Sequence, residues 1–156
     1  SFVGALVAVV MITFLAPLVA PRPVLRIELV LEAHYHGDTA LCAFGPQREH
    51  LLAWKPAIAP ESWERLRESF GEHLLELGDD DAARYAANSF SYTPSGQPGA
   101  AHESFLFLPG GASEGLLAEL RERGVTPVTI DVSEFLKKGG GSVKCMIGDL
   151  GPVEGM

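Results

Sequence analysis

Two short segments concentrate the side chains able to do chemistry. Cys145 follows a glycine triplet and stands among basic residues, in Lys137-Lys138-Gly139-Gly140-Gly141-Ser142-Val143-Lys144-Cys145. A thiol attacks as its thiolate, and nearby positive charge favours that form. Glycines let the backbone run close to a ligand. The segment suits a nucleophile held beside Gly140 and Gly141. A small apolar side chain in a buried strand is the plainer reading of the same residue.

The second segment is His34-Tyr35-His36-Gly37-Asp38-Thr39. In an extended chain His36 and Asp38, two apart, point the same way. That pairing sets an acid/base imidazole beside a carboxylate able to grip a cation. A solvated polar turn is the plainer reading of the same residues. A metal site built on His34, His36 and Asp38 is the third, but it wants further ligands, and His50, His73 and His102 lie in unrelated contexts. Asp79-Asp80-Asp81 lacks the alternation and glycine of a calcium loop and reads as a helix start. Pro109-Gly110-Gly111-Ala112-Ser113 lacks the Lys-Ser/Thr of a phosphate cradle and reads as a loop leading to a helix cap.

Composition bounds the partners. With 12 basic against 20 acidic residues the chain carries a formal charge of -8, which repels phosphate backbones and excludes nucleic acid as the expected partner. Two distant cysteines, Cys42 and Cys145, give neither a disulfide framework nor a zinc ribbon, and point to a reducing, cytoplasmic setting. One segment disturbs this picture: Phe2 to Ala20 contains no charged residue. It is long enough to cross a bilayer. It also has the apolar core of a signal peptide without the basic leader, and it suits a buried strand pair.

The elements that must position these residues follow from periodicity. Val24–Val30 alternates as a strand, with Arg26 and Glu28 opposite Leu25, Ile27 and Leu29. Residues 40–44 and 51–54 flank a Gly45-Pro46 turn as a hairpin or two neighbouring strands. Pro60–Phe70 is a helix with Trp63, Leu66 and Phe70 on one face, stopped by Gly71. Strands are expected over residues 74–77, 88–92, 104–108, 125–131 and 142–147, the last carrying Cys145. A short helix is expected over residues 79–87, a longer one capped by Ser113, and a single helical turn over residues 133–136. The order strand, strand, helix, strand occurs about twice, which gives an α/β protein with mixed sheets.

Three stretches taken together resemble one superfamily: His36-Gly37-Asp38-Thr39, Asp81-Ala82-Ala83-Arg84-Tyr85-Ala86-Ala87-Asn88, and Glu134 through Met146 with its glycine triplet and Cys145. The chain, over about residues 24–153, resembles the arginine deiminase, amidinotransferase and dimethylarginine hydrolase superfamily of guanidine-modifying enzymes. The resemblance implies a partial pentein, an α/β propeller of ββαβ-type modules, of which this chain holds about the last two to three. Residues 1–23 then form a separate apolar segment and residues 24–156 the C-terminal half of the propeller domain.

The resemblance also implies roles. Cys145 is the nucleophile, His36 the acid/base, and Asp38, Gly140 and Gly141 bind substrate, with neither metal nor organic cofactor. The substrate is a small arginine-like guanidine, cleaved at a C–N bond through a covalent thiouronium. Amidino transfer, or a half-domain without a complete site, is the alternative. Complete relatives carry an orienting acid, a second guanidinium-binding aspartate and a substrate-binding arginine in an N-terminal half; residues 1–23 hold no Asp or Glu to replace them. A homo-oligomer completing the fold, or membrane association through residues 2–20, follows as an expectation. Asp38 itself favours an unsubstituted guanidine, because a carboxylate takes two N–H donors that methylation removes.

Overall fold

The computed structural model describes residues 9–13, 24–31, 34, 36–94, 103–137, 139 and 141–148. Gly140, most of the apolar segment, and most of the loop after Thr93 lie outside the described residues.

The described residues build three small sheets and four α-helices. Strand β1 (Val9–Thr13) pairs antiparallel with β2 (Val24–Glu28), so part of the apolar segment is sheet. Two units of identical topology follow. In the first, β3 (Leu41–Phe44) pairs antiparallel with β4 (His50–Ala53), helix α1 (Pro60–Phe70) crosses over, and β5 (Leu74–Glu76) returns parallel to β4. The short helix α2 (Asp79–Ala83) leads on to the second unit. There β6 (Phe90–Tyr92) is antiparallel to β7 (Ser104–Pro109), α3 (Glu114–Glu122) crosses over, and β8 (Val125–Ile130) runs parallel to β7. One-turn α4 (Ser133–Leu136) precedes the Cys145 segment. Among the described residues no helix is long and apolar enough to cross a membrane.

The strands of the first unit read as continuous apolar runs because both faces of their sheet are covered. Leu41, Leu51 and Ala53 face one core with Trp63, Leu66 and Phe70 of α1 and Ile27 of β2. Cys42, Phe44 and Leu52 face the other, with Leu106 and Leu108 of β7 and Leu116, Leu117 and Leu120 of α3. Period-two alternation divides one sheet between two cores.

Helix α1 starts at Pro60 and ends where Gly71 turns back at φ 52°, a conformation that costs a side-chain-bearing residue. Ser62 on its buried face accepts a hydrogen bond from the Glu28 backbone N–H at 3.0 Å, tying the helix to β2. Helix α3 is capped by Ser113, whose hydroxyl accepts from Leu116 N–H at 3.1 Å. The buried carboxylate of Asp81, at the end of the acidic run, accepts from both the backbone N–H and the hydroxyl of Ser113, each at 2.7 Å. Asp81 therefore secures the N-terminus of α3 from α2.

Three sequence expectations are corrected. The helix expected over residues 79–87 stops at Ala83, and Tyr85 adopts φ 59° in the turn that follows. Asn88 is not in the strand expected from residue 88, because the ladder begins at Phe90. Residues 142–147 form no strand: Lys144–Met146 is a single 3-10 turn.

Candidate active site

Asp38 and Cys145 lie on two turns far apart in sequence. The first, Gly37–Thr39, is a 3-10 turn, not the extended chain in which His36 and Asp38 would point the same way. His36 precedes it with extended backbone (φ -84°, ψ 118°), and its carbonyl accepts from the N–H of Thr39 at 3.0 Å and from its hydroxyl at 2.7 Å. The His36 side chain is exposed. His34 turns inward instead. Its ring is buried, with Nδ1 3.2 Å from both the carbonyl and the hydroxyl oxygen of Thr39, and packs against Trp54 and Tyr85 with centroids 4.7 and 5.6 Å away. Burial lowers its pKa, opposed by the Thr39 carbonyl. His34 thus braces the turn. Among the described residues no three His, Cys, Asp or Glu side chains are grouped to hold a metal.

The second turn carries Cys145, which is exposed. Its Sγ lies 3.9 Å from Oδ2 of Asp38, and Oδ1 of the same carboxylate is shielded from solvent with no hydrogen-bond partner. A buried carboxylate oxygen without a donor is costly. The arrangement leaves an acceptor beside a thiol, which is the equipment for a small planar cation next to a nucleophile.

Gly141 packs directly against Cys145. A Cβ built on Gly141 would sit 2.6 Å from Sγ, so only glycine admits the thiol there. An open cleft of about 400 Å³ is lined by Glu134, Phe135, Gly139, Gly141, Cys145 and Met146. The other cysteine, Cys42, is buried in the core, where burial pushes its thiol up to about 11.

The residue that sequence reasoning left unassigned is Asn88, which is fully buried. Its side-chain oxygen accepts from the N–H of Ser142 at 2.7 Å and of Cys145 at 3.3 Å. Its side-chain nitrogen donates to the Asp38 carbonyl at 3.2 Å, and its backbone carbonyl accepts from Lys144 N–H at 3.1 Å. One acceptor drawing in two N–H groups three residues apart curls residues 142–146, with Val143 at φ -52°, ψ -48°, and prevents a strand there. The signal available in sequence was a single Asn in the Asp81–Asn88 stretch, with nothing to mark it as buried.

No family model matches the chain. It is 35% identical over 131 residues to an N(G),N(G)-dimethylarginine dimethylaminohydrolase of Mycobacterium tuberculosis (strain ATCC 25618 / H37Rv), across 83% of this chain and 38% of that enzyme. The fold superposes on the product-bound N-terminal domain of ArgZ, a cyanobacterial arginine dihydrolase, with TM-score 0.63 and 25% identity, over 77% of this chain and 39% of that one. It superposes on AgrE in complex with ornithine and NAD+ with TM-score 0.63 and 26% identity, over 77% of this chain and 16% of that one. The chain therefore spans well under half the length of these relatives. By sequence and by fold it is homologous to part of the guanidine-modifying hydrolases of the pentein superfamily, dimethylarginine dimethylaminohydrolase and the arginine dihydrolases among them.

Proposed function

We propose that this chain is a section of a cysteine-dependent hydrolase acting on a C–N bond of an arginine-like guanidine, made of the last two to three propeller modules. The observation that carries the reading is the Asp38 carboxylate, with one oxygen 3.9 Å from Cys145 Sγ and the other buried and unpaired. Homology to guanidine-modifying hydrolases supports the same chemistry.

In this mechanism Asp38 takes two N–H donors of the planar guanidinium and presents its central carbon to Cys145. The thiolate adds to that carbon, forming an S–C bond and a tetrahedral centre. His36 gives a proton to the departing amine as the C–N bond breaks, leaving a thiouronium on Cys145. His36 then takes a proton from water, whose oxygen adds to the same carbon. The S–C bond breaks as the hydroxyl proton passes to solvent, returning the thiolate and releasing a ureido product. Gly141 keeps the backbone beside the thiol free of a side chain. An amine in place of the water makes the reaction an amidino transfer.

A second reading, a section whose site is completed by residues outside it, is favoured by its spanning 38% of the curated relative and by the exposure of Phe135, Met146 and Ile147 near the cleft. In that form the completing residues come from the rest of a longer chain or from a second copy.

The test is release of ammonia or amine and a ureido product from arginine and from dimethylarginine, with mass analysis of Cys145 after an acid quench. A thiouronium adduct on Cys145, absent from Cys145→Ala, is expected. Turnover by Cys145→Ala overturns the reading.

A further inference from the structure

Asn88 stands where the two turns of the site meet. Its carboxamide can both accept and donate, and both capacities are used: the oxygen on the Cys145 turn, the nitrogen on the Asp38 turn. The residue is itself held rigidly. Its N–H donates to the Tyr85 carbonyl at 2.8 Å, it follows the fully buried Ala86 and Ala87, and the buried Ser89 beside it donates from its hydroxyl to the Ala86 carbonyl at 2.6 Å. The Ser89 carbonyl in turn faces the thiol of core residue Cys42 at 3.4 Å. A side chain fixed in the core thus reaches out to two surface turns.

We infer that Asn88 is a positioning residue: its carboxamide joins the Cys145 turn to the Asp38 turn and sets the separation at which thiol and carboxylate act on one cation. This rests on the guanidine reading, in which Asp38 holds the cation. Neither alanine nor aspartate serves equally. Alanine strips two N–H groups and a carbonyl of their partner. Aspartate supplies the acceptor but turns a second oxygen toward the Asp38 carbonyl. Hydrogen-bonded support of this sort is what holds reacting groups in register, and a misplacement of about 1 Å costs on the order of 100-fold in rate.

The test compares two alkylating agents of the same shape on the full chain, the cation 2-chloroacetamidine and the neutral 2-chloroacetamide. In each, Sγ displaces chloride from the methylene carbon and the thiol proton passes to solvent. The amidinium is drawn to Asp38 and the amide is not, so the ratio of their rates reads the coupling of Asp38 to Cys145. The unaltered chain is expected to prefer the amidine by about tenfold or more. In Asn88→Ala and Asn88→Ser the ratio is expected to fall toward one, while the amide rate stays within about threefold because the thiol remains exposed. Buried Cys42 serves as the folding control in the same samples, since it labels only if the chain opens.

An unaltered ratio in either variant, with Cys42 still protected, overturns the positioning role and leaves the guanidine reading standing. Labelling of Cys42 in both variants assigns Asn88 to the fold alone and also overturns it. Absence of any amidine preference in the unaltered chain removes the guanidine reading itself, and the role of Asn88 with it.

Discussion

Sγ of Cys145 and Oδ2 of Asp38 lie 3.9 Å apart although 107 residues separate them. Oδ1 of Asp38 is buried and unpaired, and in the proposed reading this carboxylate holds the planar cation. Asp38→Asn keeps the shape and removes the charge. It is expected to lower kcat/KM for arginine by about 100- to 1000-fold, the range associated with losing one charge-stabilising group at a reacting centre. Steady-state rates of ureido product formation check this. The loss should be smaller for dimethylarginine, which offers fewer N–H donors to the carboxylate.

The two cysteines should differ sharply in reactivity. At neutral pH a small alkylating agent is expected to modify the exposed Cys145 in the folded chain and leave Cys42 intact, since Cys42 is buried with its thiol pushed up to about 11. Mass mapping of the labelled peptides decides it. Modification of both at equal rates contradicts the burial of Cys42.

Gly141→Ala isolates the thiol from the fold. The new Cβ would approach Cys145 Sγ to 2.6 Å, and the Cys145 side chain is too short to yield without its turn moving. Activity or amidine labelling is expected to drop by about 100-fold. The melting temperature should move by no more than about 2 °C, because residues 144–148 are exposed and outside both cores.

Asp81→Ala should do the reverse. It removes two hydrogen bonds from a carboxylate to Ser113 at the start of α3 and leaves the Ser113 N–H and hydroxyl to find new partners. A loss of about 2–3 kcal/mol is expected. The urea midpoint measures it, and a change under about 0.5 kcal/mol would show that water replaces the carboxylate at no cost.

Acid should weaken the fold from just below neutral pH. Burial lowers the pKa of His34 and of His50 from the ordinary 6.5, with the Thr39 carbonyl opposing it at His34 and Glu49 opposing it at His50. The unfolded chain then binds protons more readily than the folded one. Stability is therefore retained above 6.5 and lost as the pH falls from there through the lower folded values. Thermal unfolding between about pH 7.5 and 5.5 is expected to show this slope, and a shallower one in His34→Gln.

Much of the architecture was legible because it depends on local periodicity. Trp63, Leu66 and Phe70 at helical spacing, Pro60 before them and Gly71 after them delimit α1 to the residue. The Gly45-Pro46 turn and the Ser113 cap behaved likewise. The two ββαβ units could be read from the order of such signals. The Cys145 segment could not. Its alternation suggested a strand, but the acceptor that curls it belongs to Asn88, more than fifty residues earlier. The conformation of His36-Gly37-Asp38, extended or turned, was open for a similar reason, since the Thr39 hydroxyl and the inward ring of His34 fold it into a turn.

The sequence by itself determined the side chains available for chemistry, the order of the elements and the kinship with guanidine-modifying enzymes, because residue type and spacing are local properties. Only the tertiary structure decided which of them meet. Asp38 faces Cys145, His34 is withdrawn into a brace, and Asp81 anchors α3. Those outcomes depend on burial and on hydrogen bonds between residues remote in sequence. A buried polar atom takes whichever donor or acceptor the packing brings within reach, and spacing along the chain does not specify that.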